Sequence, residues 1–226
     1  MIVKICGLTR EKDVVACVST GVPLLGFISI PRSKRFLPVE EIRELLEKVG
    51  TARKRFSAVL VLEPSSPAEA LDKIRKSGAD AVQLYSLSPS QIALLHGKGF
   101  LVFRTIAIPV GSPHLSAELV KQIKSFSKTC DGVFFDSSVA GKAGGTGKQI
   151  DFNLLEQAAS VARRANKKIT LFLSGGMDLQ RLQGLSGNKK LLSLIDGVDA
   201  SSGVEFSPGK KDLLKLTTFV SFARKL

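Results

Sequence analysis

The sequence alternates short apolar runs with amphipathic segments eight times, and few folds accommodate such a repeat. The apolar runs predict strands near residues 2–6, 24–29, 56–62, 80–84, 100–106, 131–136, 169–173 and 196–200. The amphipathic segments predict helices near residues 10–20, 38–48, 66–77, 88–97, 115–128, 151–165, 178–186 and 211–224. Local signals for helix starts are present at Ser66, Ser88 and Asp151. Each predicted strand is therefore followed by a predicted helix.

Eight strand–helix units in a row are typical of a closed parallel barrel, and 226 residues suffice for one with few insertions. We therefore predict the α/β class and a single (β/α)8 (TIM) barrel domain over residues 1–226. A doubly wound open sheet is the alternative. It would favour fewer strands and a glycine fingerprint after the first strand, where this chain instead has Cys6-Gly7-Leu8-Thr9.

The cysteine and histidine content argues against a disulfide framework and against a zinc site. The chain has three widely spaced cysteines, Cys6, Cys17 and Cys130, and only two histidines. No apolar run approaches the length of a membrane span, and Met1 leads directly into a strand pattern. We expect a cytoplasmic protein that binds no metal and no membrane.

A net charge of +13 invites a nucleic-acid function. The lysines and arginines are scattered in short groups, however, and the chain has one tyrosine, no tryptophan and no nucleic-acid motif. The pattern therefore favours a solvated basic surface. Such a surface would also accelerate the capture of a small anionic substrate.

In a (β/α)8 barrel the loops after the strands form the active face. A thiol follows the first predicted strand (Cys6), a guanidinium follows the second (Arg35), and a carboxylate ends the apolar run of the sixth (Asp136). A lone cysteine is usually a small buried hydrophobe, whereas a carboxylate at a strand end is costly to desolvate unless it has a role or a partner. Arg35 suits a planar carboxylate, although it could equally be one more exposed charge.

Small residues in the last two of these loops indicate an anion site. Ser174-Gly175-Gly176 follows the seventh predicted strand and Ser201-Ser202-Gly203 follows the eighth, where such barrels usually hold phosphate. A glycine-rich segment, residues 141–148, follows the sixth strand and could close over a ligand.

Several segments resemble those of phosphoribosylanthranilate isomerases, and the likeness runs from end to end of the chain. They are Val3-Lys4-Ile5-Cys6-Gly7-Leu8-Thr9, Ser33-Lys34-Arg35, Gly144-Gly145-Thr146-Gly147-Lys148 with Asp151-Phe152, Leu173-Ser174-Gly175-Gly176, Gly197-Val198-Asp199-Ala200-Ser201-Ser202-Gly203-Val204-Glu205 and Pro208-Gly209-Lys210-Lys211-Asp212. Any one of these segments would be a weak signal, but their common order along one barrel is specific.

The resemblance implies an Amadori rearrangement of N-(5-phosphoribosyl)anthranilate to 1-(2-carboxyphenylamino)-1-deoxyribulose 5-phosphate, without cofactor or metal. It assigns the general base to Cys6, the general acid to Asp136 and binding of the anthranilate carboxylate to Arg35. The implied phosphate site comprises Gly144, Gly145, Gly175, Gly176, Ser201 and Ser202. These roles require a lowered thiol pKa and a raised carboxyl pKa.

The chain also departs from the family pattern. The fourth strand of the family usually reads Val-Gln-Leu-His-Gly, and here Tyr85-Ser86 replaces the last two residues. Arg104 stands where a lysine is common, and Glu63-Pro64-Ser65 where Val-Asn is usual. Two alternatives therefore stay open, namely a related barrel acting on another aminoaldose or ribose phosphate, and a basic barrel that binds a polyanion. The sequence does not predict the oligomeric state.

Overall fold

Eight parallel strands close into a barrel in the computed structural model of this chain, which describes residues 1–139, 142–143 and 149–226. The strands are Ile2–Ile5, Leu24–Ile28, Ser57–Leu62, Ala81–Leu84, Leu101–Pro109, Gly132–Val139, Thr170–Leu173 and Gly197–Ala200. Each strand pairs with the next, and the eighth pairs with the first along Ile2–Ile5. Since every strand has a neighbour on both sides, the predicted (β/α)8 barrel is confirmed and the open sheet is wrong.

A helix follows each strand on the outside of the barrel. The eight helices are Glu11–Ser19, Val39–Lys48, Pro67–Ser77, Pro89–Ala93, Ala117–Thr129, Phe152–Ala165, Leu179–Ser186 and Leu213–Ala223. The predicted caps are correct, because the side chains of Ser66, Ser88 and Asp151 each accept a backbone N–H of the following helical turn. None of the helices in the described ranges is long and apolar enough to cross a membrane.

Several short helices, turns and strands lie outside the eight strand–helix units, and the sequence patterns did not predict them. They are the 3-10 turns Gly50–Arg55 and Ser202–Val204, the short helix Lys189–Leu192, the two-residue strand Lys142–Ala143, and the antiparallel hairpin of Glu205–Ser207 with Lys210–Lys211. The hairpin precedes the last helix and lies on the side of the barrel that carries the strand ends.

The fifth and sixth strands are longer than predicted. They stay paired from Phe103 opposite Gly132 to Pro109 opposite Ser138. The prediction that Asp136 ends the sixth strand is therefore wrong, since the strand continues to Val139. The backbone ladder determines where a strand ends, and a polar side chain facing the barrel does not interrupt that ladder. The fourth helix, by contrast, is shorter than the predicted 88–97.

The core has two layers. One lies between the strands and the helices, and a smaller one fills the barrel with Val59, Ala81, Phe103, Phe134 and Phe172. The rings of Phe134 and Phe172 are stacked with their centroids 4.4 Å apart. Lys4 lies above this aromatic layer, fully buried, with Nζ 5.2 Å from the Phe134 ring centroid. A charge at this position needs a partner, and that partner belongs to the site described next.

Candidate active site

Cys6 directly follows the first strand and is buried at the mouth of the barrel. Its amide donates to the carbonyl of Ala200, which fixes it beside the end of the eighth strand at 2.9 Å. A Cβ built on Gly26 would lie 2.7 Å from Cys6 Sγ and 2.9 Å from Lys4 Nζ. The thiol and the ammonium therefore share the space above Gly26, which only a residue without a side chain leaves open.

Lys4 is paired with Asp199 on the eighth strand, Nζ to Oδ1 at 3.0 Å. Burial alone would lower the pKa of Lys4, but Asp199 and, to a lesser extent, Cys6 together outweigh burial and the pKa is raised. The ammonium therefore stays charged. Lys4 is accordingly a fixed positive charge beneath the thiol.

Burial raises the pKa of the Cys6 thiol, Lys4 opposes this rise and Asp199 adds to it. The base role requires a shift in the other direction. The physical reason is desolvation, because a thiolate in this apolar surrounding loses more hydration than the nearby ammonium returns. The thiol form is therefore the resting form of Cys6.

Asp136 faces the barrel mouth from the sixth strand and is 6% exposed. Its Oδ2 accepts a hydrogen bond from the Tyr85 hydroxyl at 3.0 Å, and its Oδ1 accepts one from the amide of Ser137 at 2.7 Å. Burial raises the pKa of Asp136 to about 6, although both hydrogen bonds favour the charged form. This is the direction that a general acid requires.

Arg35 lies at the same rim, and a Cβ on Gly7 would come within 2.3 Å of its Cδ. Its guanidinium forms two bonds with Glu205, from Nε to Oε1 at 2.8 Å and from Nη2 to Oε2 at 2.6 Å. Lys211 joins the pair by donating to Glu205 Oε1 at 2.8 Å and to the carbonyl of Cys6 at 2.6 Å. The Arg35 guanidinium, predicted to bind a substrate carboxylate, thus binds the Glu205 carboxylate of the protein itself.

The two small-residue loops lie against each other and against Asp136. Gly175 has φ +74°, and a Cβ there would lie 2.6 Å from Asp136 Oδ1, so this turn requires glycine. A Cβ on Gly203 would lie 2.1 Å from the carbonyl oxygen of Met177, which shows how closely the loops pack. Ser201 Oγ is buried and has no hydrogen-bond partner among the described residues.

The predicted phosphate residues are only partly described. Gly175 and Gly176 follow the seventh strand, and Ser201 and Ser202 follow the eighth, as predicted. Gly144 and Gly145 lie outside the described residues. In the ranges that are described, no group of three or more histidine, cysteine, aspartate or glutamate side chains could hold a metal ion.

The structure brings Cys6 and Asp136 to the same end of the barrel from different sides. Around the ring, the first and sixth strands are separated by the eighth and seventh. Such an arrangement can place a proton donor and a proton acceptor on either side of a small ligand. The sequence reasoning missed Lys4, Asp199, Glu205 and Lys211 as members of the site. The one sequence signal that could have identified these four residues is that each is a charged residue within the segments that resemble the family.

Comparison with known proteins gives a consistent result. Residues 3–222 match the family model of N-(5'phosphoribosyl)anthranilate (PRA) isomerase. An isomerase of that name from Methanothermobacter marburgensis is 34% identical over 94% of this chain and 89% of its own length. Another from Crocosphaera subtropica is 30% identical over the full length of both chains.

Solved structures agree in fold. The phosphoribosyl anthranilate isomerase of Thermotoga maritima superposes with a TM-score of 0.79 at 25% identity, covering all of both chains. A phosphoribosyl anthranilate isomerase in complex with reduced 1-(o-carboxyphenylamino)-1-deoxyribulose 5-phosphate superposes with a TM-score of 0.73 at 23% identity, over all of both chains. With a family match that spans nearly every residue and a barrel of the same architecture, this chain belongs to the N-(5'-phosphoribosyl)anthranilate isomerase family.

Proposed function

We propose that this chain catalyses the Amadori rearrangement of N-(5-phosphoribosyl)anthranilate in L-tryptophan biosynthesis, with Asp136 as general acid and Cys6 as general base. Membership of the isomerase family supports the reaction. The observation that carries the residue roles is the placement of a buried carboxyl group and a buried thiol at the barrel mouth, at strands three positions apart around the ring of eight.

Asp136 opens the sugar. Its carboxyl proton passes to the furanose ring oxygen while the bond from that oxygen to C1′ breaks, leaving a Schiff base between C1′ and the anthranilate nitrogen. A pKa of about 6 leaves roughly a tenth of the groups protonated at pH 7, and these are ready to donate. Burial of Asp136 thus raises its pKa far enough for the carboxyl group to serve as a proton donor near neutral pH.

Cys6 then removes the proton from C2′. The electron pair moves towards the Schiff-base nitrogen to give an enamine, which tautomerises to the ketone. A thiol must ionise before it can act in this way. Lys4 is the group that favours the thiolate most, and Lys211 acts in the same direction. We assign Lys4 to this supporting role.

Recognition of the substrate uses its two anionic ends. Arg35 spends Nε and Nη2 on Glu205, so we assign Nη1 to the anthranilate carboxylate. The phosphate is assigned to the loops with Gly175, Gly176, Ser201 and Ser202, to which Ser201 Oγ adds a buried donor, together with Gly144 and Gly145. The proposal includes no cofactor, metal, nucleic acid or membrane partner. It places one barrel domain, residues 1–226, in the cytoplasm.

The direct test is turnover of phosphoribosylanthranilate, followed by the loss of anthranilate-type fluorescence. Cys6→Ser and Asp136→Asn should each lower kcat by about a hundredfold or more, the scale of losing a general acid or base. Cys17→Ser, at a buried thiol in the first helix, is the matched control and should keep kcat. Normal turnover in both site variants would overturn the assigned roles.

A second candidate is a related barrel that acts on another aminoaldose or ribose phosphate. The observation that supports this candidate is the hydrogen bond from Tyr85 to Asp136, which changes the surroundings of the proposed acid. Rescue of a tryptophan auxotroph separates the two. Growth supports the isomerase, and failure by a stably expressed protein supports the second candidate.

A further inference from the structure

Tyr85 is the one side chain, among the described residues, that reaches the proposed acid from another strand with a hydrogen bond. It directly follows the fourth strand, and its hydroxyl donates to Asp136 Oδ2 at 3.0 Å. Its ring packs against the small apolar cluster of Cys6, Ile30 and Val61. One residue thus contacts the acid with its polar end and the surroundings of the base with its ring.

The backbone around Tyr85 is fixed on both sides. The amide of Tyr85 donates to the carbonyl of Leu62 at 2.9 Å. Arg104 Nη1 donates to the carbonyls of Leu84 at 2.9 Å and Ser86 at 3.2 Å. Ser86 Oγ donates to the carbonyl of Pro64 at 2.5 Å. These bonds tie the segment to the third and fifth strands, so the direction of the tyrosine ring is determined by the barrel itself.

We propose that Tyr85 is a positioning residue for the reaction, holding Oδ2 of Asp136 so that the carboxyl group is oriented towards the substrate and remains a strong enough acid to protonate a weakly basic ether oxygen. The proposal rests on the function assigned above. It gives a role to a residue that the resemblance leaves without one.

The chemistry of the pair has a definite direction. Burial and the charge of Asp136 raise the pKa of Tyr85 well above its usual value, so the phenol stays protonated and always donates. A donated hydrogen bond stabilises the carboxylate more than the carboxylic acid, and so it opposes the rise in the pKa of Asp136 that burial causes. Lys4 acts in the same sense, while Asp199 acts against both.

The kinetic test is Tyr85→Phe, which keeps the ring and its apolar contacts and removes the hydroxyl. We expect the plateau of kcat to fall about tenfold, with KM changed less than about twofold. The limb of the kcat profile that reports the ionisation of Asp136 should move up by about one pH unit, because the carboxylate loses a donor.

Ser86→Ala separates loop anchoring from the effect of the hydroxyl. It removes only the bond to Pro64 and should lower kcat modestly without moving the pH profile. An unchanged kcat plateau in Tyr85→Phe would overturn the proposal, and so would a loss of kcat with an unmoved pH profile.

An optical test needs no turnover. The chain has one tyrosine and no tryptophan, so its emission on excitation beyond the phenylalanine absorption band belongs to Tyr85. A phenol bonded to a carboxylate emits weakly, since its excited state passes its proton to the acceptor. Emission of the wild-type protein should therefore rise on acidification with a midpoint near the Asp136 pKa of about 6.

The same titration of Asp136→Asn should be flat, although both histidines remain. A flat titration of the wild type would overturn the proposal even if the enzyme is active. If the protein fails to convert phosphoribosylanthranilate but its emission titrates as expected, the reaction assignment fails and the Tyr85–Asp136 pair stands.

Discussion

Asp136 carries a cost in stability because of where it lies. Burial raises its pKa from an ordinary 3.8 to about 6, so the folded chain binds this proton more tightly than the unfolded chain does. The stabilisation that the proton brings is fully present below about pH 4. It is lost as the pH rises through about 6, and above that the folded state holds an unfavourable carboxylate.

Replacing the carboxylate should therefore stabilise the protein although it lowers kcat. Asp136→Asn should raise the free energy of unfolding at pH 7 by about 2–3 kcal/mol, and the gain should vanish near pH 4. Urea unfolding across this pH range measures it. Asp72→Asn, at an exposed carboxylate on the third helix, should change stability by less than about 0.5 kcal/mol. A loss of stability in Asp136→Asn at pH 7 would contradict this account of the buried carboxylate.

The positions of Cys6 and Asp136 could be inferred from the sequence, but their surroundings could not. A lysine between Val3 and Ile5 suggests a strand face directed towards solvent. Closing the barrel turns that face inward, where Lys4 is fully buried against Asp199 from the other end of the chain. Only the closed ring brings these two residues together, so local patterning could not predict the sign of the shift in the pKa of Cys6.

At the scale of elements, the hairpin of Glu205–Ser207 and Lys210–Lys211 connects the site. Lys211 is buried and donates to the carbonyl of Cys6, to the carbonyl of Ser201 and to Glu205. One ammonium therefore joins the ends of the first and eighth strands. Removing it leaves the Glu205 carboxylate with Arg35 as its remaining ion-pair partner among the described residues.

Lys211→Met should cost about 3–5 kcal/mol in the free energy of unfolding, the scale of breaking a buried ion pair. The neighbouring Lys210 is exposed, and Lys210→Met should cost less than about 0.5 kcal/mol. Chemical unfolding of both variants under one set of conditions gives the comparison. Equal stabilities would mean that the hairpin does not hold the site together.

The departures from the family pattern show a second limit of reading elements from sequence. Tyr85-Ser86, Arg104 and the segment Glu63-Pro64-Ser65 look like independent substitutions along the chain. In the barrel they meet, since Ser86 bonds to Pro64 and Arg104 bonds to Ser86. Strand order predicts that neighbouring strand ends lie close together, but which carbonyl a long side chain reaches depends on strand register, which spacing alone does not determine.

The whole molecule carries a net charge of +13, and its proposed substrate is anionic at both ends. We expect kcat/KM to fall about threefold to tenfold between roughly 0.05 M and 0.5 M salt, with kcat nearly unchanged, because screening slows capture and leaves the chemistry alone. Initial rates at low substrate concentration measure the effect.

Two variants that each remove one positive charge show which part of the surface attracts the substrate. Lys34→Gln, in the loop after the second strand, should lower kcat/KM at low salt, whereas Lys128→Gln, at the end of the fifth helix, should not. Rates that are independent of salt would show that the charge does not steer the substrate. Duplex DNA binding that weakens steeply with salt would instead favour the polyanion-binding alternative.

The pairing of the first strand with the eighth imposes an order in time on a chain made from its amino end. Cys6 leaves the ribosome before Ala200 and Lys211 do, yet the carbonyl that holds its amide belongs to Ala200, and the ammonium that holds its own carbonyl belongs to Lys211. Until those residues are synthesised, the first strand has an unpaired edge that another nascent chain could join. The surroundings of Cys6 are therefore complete only with the last strand and the hairpin, and we expect a chain halted before them to have no activity.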